Sequence, residues 1–288
     1  MTSPYRLYDG LAVYRLGHGE PVLLMPAPHR FERPGLREFD ALGDGLQRLG
    51  RQVITYDPPG SGLSARPARL SMEEMHQCAT QALQACGVSG PVDGAGHSMA
   101  GLAMLAYALE QPQRVRRLVL IGTGSGGPAY MHAPGALWNR SHPRFWALAP
   151  LGILHLAWPN LATERLVNNL IERESFHDQR LARPDAIGPG DWLRRRLGRG
   201  GAWHRLARKL DYTPRLGELG VPTLLLCGRH DPQYPLACSE QLAAAIRGAE
   251  LVVFEDSGHY PFIEEPEAFW AVVGRFLSQD AAVRHAPG

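Results

Sequence analysis

Short apolar runs separated by turn residues fill the first part of the chain, and longer runs with a helical spacing follow them. Runs of β-branched and aromatic residues bounded by glycine predict strands, whereas apolar residues three or four positions apart predict helices. The predicted strands are Tyr5–Tyr8, Leu11–Leu16 and residues 22–25, 53–56, 92–95, 118–121, 223–226 and 251–254. The predicted helices cover residues 36–49, 71–86, 102–110 and 239–246, and a last helix starts at Pro266. This alternation predicts an α/β fold with a mostly parallel sheet and helices on both faces.

Residues 124–211 interrupt the alternation because they hold no convincing strand pattern. This segment contains five of the six tryptophans of the chain: Trp138, Trp146, Trp158, Trp192 and Trp203. Tryptophan packs well in any small core, so a satellite core is one interpretation. We favour a helical cap, or lid, inserted between two strands, with aromatic side chains lining a pocket. The predicted domains are a core of residues 1–123 and 212–288 and a cap of residues 124–211.

Composition and charge narrow the class of protein. The 288 residues are 44% hydrophobic and 20% charged, which is typical of a protein with a sizeable buried core. A net charge of +2 is too balanced for a protein that mainly holds nucleic acid. The longest mostly apolar stretch, residues 146–158, is too short to span a membrane, and no secretory signal pattern opens the chain. Four scattered cysteines indicate reduced thiols, and these features together predict a cytoplasmic protein.

The segment Gly96-His97-Ser98-Met99-Ala100 falls between a predicted strand and a predicted helix. A serine at such a tight turn projects its hydroxyl clear of the sheet, and the flanking positions must be small because the backbone is cramped. The N-terminus of the following helix directs free amides at the same place, which favours a developing oxyanion. Ser98 is therefore the predicted nucleophile.

A serine needs a base to take its proton, and the base needs a carboxylate that orients it. Asp231 follows the strand predicted at residues 223–226, and His259 follows the strand predicted at residues 251–254. In a parallel sheet, the residues after the carboxyl ends of the strands gather at one edge. Ser98, Asp231 and His259 are therefore expected together at that edge. The other histidines and the cysteines lack metal-ligand spacing, so neither a metal site nor a cofactor is expected.

With these motifs the sequence resembles the α/β-hydrolase family. The family's nucleophile elbow matches residues 96–100, its acid position matches Asp231 and its histidine position matches His259. The loop of residues 57–64 is similar to the family's Asp-x-x-Gly-x-Gly-x-Ser segment. The resemblance covers residues 5–123 and 212–279, and the overall layout is similar to that of proline iminopeptidases. It implies that residues 124–211 form a cap over the active site and that His97 is a packing residue.

The loop after the strand at residues 22–25 departs from the family's pattern. The resemblance implies a backbone N–H there that completes an oxyanion hole, yet Pro28 stands near the donor position and proline has no N–H to give. Met99, the residue after the nucleophile, is expected to donate one amide. The second donor is expected to be the amide of Ala27 or His29, or the His29 ring.

Charged residues of the predicted cap suggest two kinds of substrate. The cations of residues 191–211 form a solvated helix face in the simplest interpretation. They are Arg194, Arg195, Arg196, Arg199, Arg205, Arg208 and Lys209. One or two of them reaching inward would hold a substrate carboxylate, whereas Glu164, Glu172 or Glu174 would hold a substrate amine. The sequence does not favour one over the other.

These residues together predict a serine hydrolase that cleaves a carboxylic ester of a small or medium-sized molecule through an acyl-enzyme. Two alternatives stay open. One is an aminopeptidase similar to proline iminopeptidases. The other is a ligand-binding or signalling protein that keeps the three residues but turns over poorly. The sequence indicates no oligomeric state.

Overall fold

The computed structural model describes residues 5–27, 37–65, 71–158, 160–183, 206 and 208–279. The strands in these residues are β1 (Tyr5–Tyr8), β2 (Leu11–Leu16), β3 (Glu20–Leu24), β4 (Arg51–Tyr56), β5 (Val92–His97), β6 (Val115–Ile121), β7 (Thr223–Gly228) and β8 (Glu250–Phe254). The helices before β7 are α1 (Arg37–Arg48), α2 (Met72–Ala85), α3 (Met99–Glu110), α4 (Gly127–His132), α5 (Phe145–Ala157) and α6 (Leu161–Ser175). Those after β7 are α7 (Leu236–Ala245), α8 (Pro261–Glu264) and α9 (Pro266–Ser278), and short 3₁₀ turns cover Pro112–Arg114, Gln179–Leu181 and Thr213–Glu218.

The strands form one sheet in the order β1-β2-β4-β3-β5-β6-β7-β8. Strand β2 pairs in antiparallel fashion with β1 and with β4, and every other pairing is parallel. Two apolar clusters occupy the two faces of the sheet, one under α2 and α3 and one under α1 and α9. The predicted α/β fold with a mostly parallel sheet is therefore confirmed.

Strand β5 is longer and more deeply buried than its sequence predicts. The prediction stopped at residue 95 because Gly94 and Gly96 interrupt the apolar pattern, yet the strand runs to His97 with all six residues buried. A Cβ atom on Gly94 would lie 2.4 Å from the Met104 methyl group, so this glycine lets α3 pack against the middle of the sheet. Helix α3 in turn begins at Met99 rather than at residue 102, and it is buried from Met99 through Leu109.

Two predicted helices match the structure closely at their first turns. The Ser71 hydroxyl caps α2 by accepting a hydrogen bond of 3.1 Å from the Glu74 amide. Helix α9 starts at Pro266, where the missing N–H costs nothing. It buries most of the predicted apolar face, although Val272 is only half-buried.

The segment between β6 and β7 carries α4, α5 and α6 and is called the insertion here. In its described part the only β-type contact is an isolated bridge between Gly126 and Asp211. Trp146 and Trp158 are 67% and 72% exposed, so the prediction that they line an enclosed pocket is wrong. Trp138 instead packs beside a small buried cluster that includes Tyr130 and Tyr234.

Several predictions fall on residues outside the described ones. They concern Pro28, His29, Leu36, Trp192, Trp203, Arg194, Arg195, Arg196, Arg199 and Arg205. The division into a core and a cap stays a prediction. Among the described residues, no helix has both the length and the apolar character needed to cross a membrane.

Candidate active site

Ser98 lies at the apex of a cramped turn between β5 and α3. Its backbone angles, φ 57° and ψ −126°, are unusual for a residue with a side chain. The Ser98 N–H donates to the Ile121 carbonyl at 2.9 Å, and the Ser98 carbonyl accepts from the Thr123 hydroxyl at 2.7 Å. A Cβ atom on Gly96 would lie 2.5 Å from the Ala100 carbonyl oxygen. The turn therefore needs small neighbours, and the serine is held in a strained conformation by bonds to the end of β6.

The hydroxyl of Ser98 is at the N-terminal end of a long buried helix. Ser98 itself is half-buried, while Met99, the first residue of α3, is almost fully buried. The first amides of a helix have no partner within it and carry the positive end of its dipole. An anion formed beside Ser98 would therefore be stabilised by this helix end.

Asp231 and His259 form a buried hydrogen-bonded pair at the same edge of the sheet. The Nδ1 atom of His259 lies 2.8 Å from Oδ2 of Asp231, and the two side chains are 2% and 0% exposed. The other carboxylate oxygen accepts the amides of Gln233 at 2.8 Å and Tyr234 at 2.9 Å. Both carboxylate oxygens are thus occupied by donors, which fixes the plane of the carboxylate and the orientation of the imidazole ring.

Gly122 is a residue of this site that the sequence analysis missed. It follows β6 directly, and its N–H donates to the Leu226 carbonyl at 2.8 Å. A Cβ atom built on it would lie 3.1 Å from Oδ2 of Asp231 and 3.2 Å from Nδ1 of His259. Its neighbour Ile121 accepts the amide of Ser98, so one dipeptide touches both halves of the site. The available signal was its position, because it too is a small residue immediately after a predicted strand.

His97 packs against the His259 ring and also forms a hydrogen bond to the His259 backbone. Its ring lies 4.4 Å from the His259 ring and 5.1 Å from the Phe262 ring, as expected for a packing residue. In addition, Nε2 of His97 lies 2.9 Å from the His259 carbonyl oxygen. The loop that carries His259, called the histidine loop below, is therefore hydrogen-bonded to the residue that precedes Ser98.

Two buried thiols close to Asp231 remain protonated at neutral pH. Burial raises the pKa of Cys227 and of Cys238 to about 12, and the negative charge of Asp231 adds to the effect. None of the four cysteines forms a disulfide. A thiol with such a pKa is a poor nucleophile, so these two cysteines do not compete with Ser98.

Ala27 follows β3, which pairs with β5 in parallel register. The pairing aligns Leu24 with Ala95, and Ala27 and Ser98 each lie three residues further along the chain, beyond the carboxyl ends of the two strands. Ala27 is 2% exposed. Its role as the second oxyanion donor stays a prediction, and His29 and Pro28 lie outside the described residues.

Two glutamates of the insertion already have partners. Oε2 of Glu172 accepts the Tyr260 hydroxyl at 3.1 Å, and Arg37 approaches Oε1 of Glu172 to 4.0 Å. Glu174 forms an ion pair of 3.3 Å with Arg144. Among the described residues, no group of three histidine, cysteine or acidic side chains is arranged to hold a metal ion.

Comparison with known proteins identifies the family. A sequence profile of the alpha/beta hydrolase family matches residues 8–272, and the chain belongs to this family. The chain is 27% identical over 260 residues to a 2-hydroxy-6-oxononadienedioate/2-hydroxy-6-oxononatrienedioate hydrolase from Klebsiella pneumoniae, covering 85% of this chain and 83% of that protein. It is 28% identical over 245 residues to a putative carbamate hydrolase, RutD, from Variovorax paradoxus, covering 82% and 85%. An alpha/beta fold family hydrolase from Bacillus anthracis superposes with a TM-score of 0.75 at 18% identity, covering 92% of this chain and 95% of that one.

The family and these relatives support hydrolysis of a small molecule as the activity of this protein. The relatives are named for different substrates, so the family alone does not identify the bond that this protein cleaves.

Proposed function

We propose that the protein is a serine hydrolase that cleaves a carboxylic ester through a covalent acyl-enzyme, with Ser98 as nucleophile, His259 as base and Asp231 as the orienting acid. One observation carries the proposal. A serine held at φ 57° on a helix N-terminus shares its edge of the sheet with a buried histidine–aspartate pair. Gly122 touches that pair and follows the residue that binds the Ser98 amide.

The proposed reaction has two halves. In the first, the Ser98 oxygen attacks the ester carbonyl carbon while His259 takes the hydroxyl proton. The oxyanion is held by the Met99 amide and by a donor from residues 27–29, and the alcohol leaves with the proton that His259 returns. In the second half, water attacks the acyl-enzyme with the same histidine as base, and it releases the carboxylic acid. Residues 124–211 are proposed to cap the substrate.

A second candidate is hydrolysis of a carbon–carbon bond next to a ketone. It is favoured by the 27% identity to the 2-hydroxy-6-oxononadienedioate hydrolase over 85% of this chain. Here the group that leaves is carbon, so the proton must be delivered to carbon and the products are a carboxylic acid and a C–H compound. The same three residues would serve both reactions. An aminopeptidase activity is less favoured, because Glu172 and Glu174 are engaged by Tyr260, Arg37 and Arg144 instead of facing a substrate amine.

Covalent labelling of Ser98 tests the proposal. We expect a fluorophosphonate probe to add one mass adduct to the wild-type protein and none to Ser98→Ala, because only an activated serine attacks phosphorus. Ester turnover should fall by at least about 10⁴-fold in Ser98→Ala. The matched control is Ser141→Ala, since Ser141 is an exposed serine of the insertion. Equal labelling of wild type and Ser98→Ala would disprove the proposed nucleophile.

A panel of substrates distinguishes ester hydrolysis from hydrolysis of a carbon–carbon bond. The folded wild-type protein is offered p-nitrophenyl esters of short acids and 2-hydroxy-6-oxononadienedioate, and the products are identified by mass. Turnover of the esters alone supports the first candidate, and turnover of the dienedioate alone supports the second. Tight binding of either compound without multiple turnovers would instead support the poorly turning-over binding protein.

A further inference from the structure

Ser98 is held by the sheet, whereas the loops of its two partners have attachments of their own beyond the bond between the His97 ring and the His259 carbonyl. The backbone of Ser98 is bonded to Ile121 and Thr123, which lie at the end of β6. The loops that carry Asp231 and His259 are bonded in addition to the C-terminal end of α6, which belongs to the insertion. We call residues 175–178 the α6 junction.

The backbone of the histidine loop is bonded directly to the α6 junction. The His259 N–H donates to the Ser175 carbonyl at 2.7 Å, and Ser175 is fully buried. A Cβ atom on Gly258 would lie 2.3 Å from the same carbonyl oxygen. Only glycine at position 258 allows the loop to approach α6 this closely. The main chain of the proposed base is therefore in contact with the insertion.

Glu264 joins the α6 junction to the histidine loop with one carboxylate. Its Oε1 accepts the amides of His177 at 2.8 Å and Asp178 at 3.0 Å, while its Oε2 accepts the amide of Gly258 at 2.7 Å. Burial raises the pKa of Glu264, and the backbone hydrogen bonds from Asp178, Gly258 and His177 oppose the rise. A carboxylate is the one side-chain group of this size that offers an acceptor oxygen to each side of such a bridge.

The aspartate loop is tied to the same junction. The Gln233 side-chain amide donates to the Ser175 hydroxyl at 2.8 Å, and the Gln233 backbone amide donates to Asp231 at 2.8 Å. The His177 ring of the junction stacks on the ring of His230, the residue before Asp231, at 4.0 Å and 12°. The junction thus contacts the residues on either side of Asp231.

We infer that the α6 junction sets the position of His259 and Asp231 relative to Ser98, and that Glu264 is a positioning residue for the hydrolytic reaction. This inference rests on the proposed function. A substrate that shifts α6 would move the base and the acid together, because Ser175 and Glu264 couple them, while the Ser98 backbone is held by Ile121 and Thr123 and is linked to the histidine loop through the His97 ring. The insertion then acts on the rate of the chemical step as well as on access to the site.

The variant Glu264→Gln tests the inference with almost no change in volume. An amide has one acceptor oxygen and one donor group, so glutamine can serve the junction or Gly258 but not both. We expect hydrogen exchange at the amides of Gly258 and His259 to become roughly tenfold faster or more. We expect kcat, or the maximal rate of fluorophosphonate labelling, to fall roughly tenfold or more with KM changed less than about twofold. Glu267→Gln, an exposed carboxylate in the first turn of α9, is the control and should change neither.

The possible outcomes are distinguishable. Faster amide exchange with an unchanged labelling rate would show that the bridge exists but does not position the base, and it would overturn the inference. Unchanged exchange would overturn the bridge itself. If the glutamine variant does not fold, Ser175→Ala is measured instead. It removes the hydroxyl's bonds to Gln233 and to the Ile171 carbonyl but keeps the carbonyl that accepts the His259 amide, and it should lower kcat without altering KM. If the wild-type protein takes no probe while its exchange pattern is native, the proposed function fails, and the positioning role fails with it.

Discussion

Gly122 controls the geometry of the site although it has no side chain to contribute. Its φ of 47° lies in the left-handed region, and the Asp231–His259 pair fills the space where a Cβ atom would be. The backbone conformation and the neighbouring side chains therefore each require glycine at position 122. Because residue 122 has no side chain, Asp231 and His259 have room to form their hydrogen bond in the observed position.

Gly122→Ala should damage activity more than stability. The left-handed conformation costs an alanine on the order of 1 kcal/mol, and the methyl group must displace the carboxylate or the imidazole by a few tenths of an ångström. We expect a loss of roughly ten- to a hundredfold in ester turnover or in the maximal labelling rate. Thermal unfolding should move by only a few degrees, at roughly 2–4 °C per kcal/mol.

A substitution at a second glycine distinguishes the effect of backbone strain from the effect of the contact with Asp231 and His259. Gly248 has a φ of 72°, and a Cβ atom there would meet nothing within 4 Å. Gly248→Ala should therefore lower the melting temperature by a similar amount and leave the labelling rate unchanged. A comparable rate loss in both variants would mean that backbone strain, and not the contact with Asp231 and His259, explains the effect of Gly122→Ala.

At the scale of the elements, β5 leads into the candidate nucleophile at its carboxyl end and carries a structural carboxylate near its start. Ser98 follows its carboxyl end, and Asp93 lies fully buried near its start. Asp93 accepts hydrogen bonds from Arg51 on β4 at 3.4 Å and from Arg116 and Arg117 on β6 at 3.0 and 3.3 Å. Arg51 also donates to the carbonyl of residue 277 in α9. One carboxylate thus joins β5 to its neighbour β6 and, across β3, to β4, and through Arg51 it also joins the last helix, at the edge opposite the candidate site.

Asp93→Asn should destabilise the fold without affecting the chemistry. Removing the charge leaves several arginines without their buried partner, which typically costs about 3–5 kcal/mol. Urea unfolding measures this loss. The matched control is Glu20→Gln, because Glu20 also pairs with Arg116 but its side chain is 62% exposed, and its loss should cost about 0–1 kcal/mol. Fluorophosphonate labelling of the folded Asp93→Asn protein should match the wild type. Equal unfolding free energies for the two variants would contradict the role assigned to Asp93.

The sequence predicts the order of elements well and contacts between distant segments poorly. Ser98, Asp231 and His259 could be predicted to lie at one edge because each follows a strand of a parallel sheet. Glu264 could not be recognised, since its role depends on amides of residues 177 and 178 that precede it by more than eighty positions. Trp146 was misassigned to a pocket because hydrophobicity does not tell which way an inserted helix turns. The extent of β5 was missed because two glycines that fit α3 look like strand breakers.

At the scale of the whole molecule, α3 has its N-terminal end at the candidate site and contacts α2 through its C-terminal half. The candidate site occupies the carboxyl edge of the sheet, whereas α2 and α3 form a layer on one face. His76 of α2 is buried in that layer, and its ring lies 5.7 Å from the Tyr107 ring of α3. Its Nε2 is buried and lacks a hydrogen-bond partner. A proton added there would have to be held without compensation, which makes this layer sensitive to acid.

The pH dependence of unfolding should therefore report His76. Burial lowers its pKa to about 4 from an ordinary value of 6.5, and the charge of Glu110 opposes the shift. Above pH 6.5 the imidazole is neutral in both folded and unfolded chains, so it has no effect on stability. Between pH 6.5 and 4 the unfolded chain takes up the proton first, and stability falls by about 3 kcal/mol over that window.

Urea unfolding of the wild type and of His76→Gln at pH 7 and pH 4 measures the effect as a difference, so that the other titrating groups cancel. The wild type should lose about 3 kcal/mol more than the variant between the two pH values. His18→Gln, at an exposed histidine in the turn between β2 and β3, should behave as the wild type does. If the wild type and His76→Gln lose stability in parallel as the pH falls, the protonated His76 ring must find a hydrogen-bond acceptor in the folded protein.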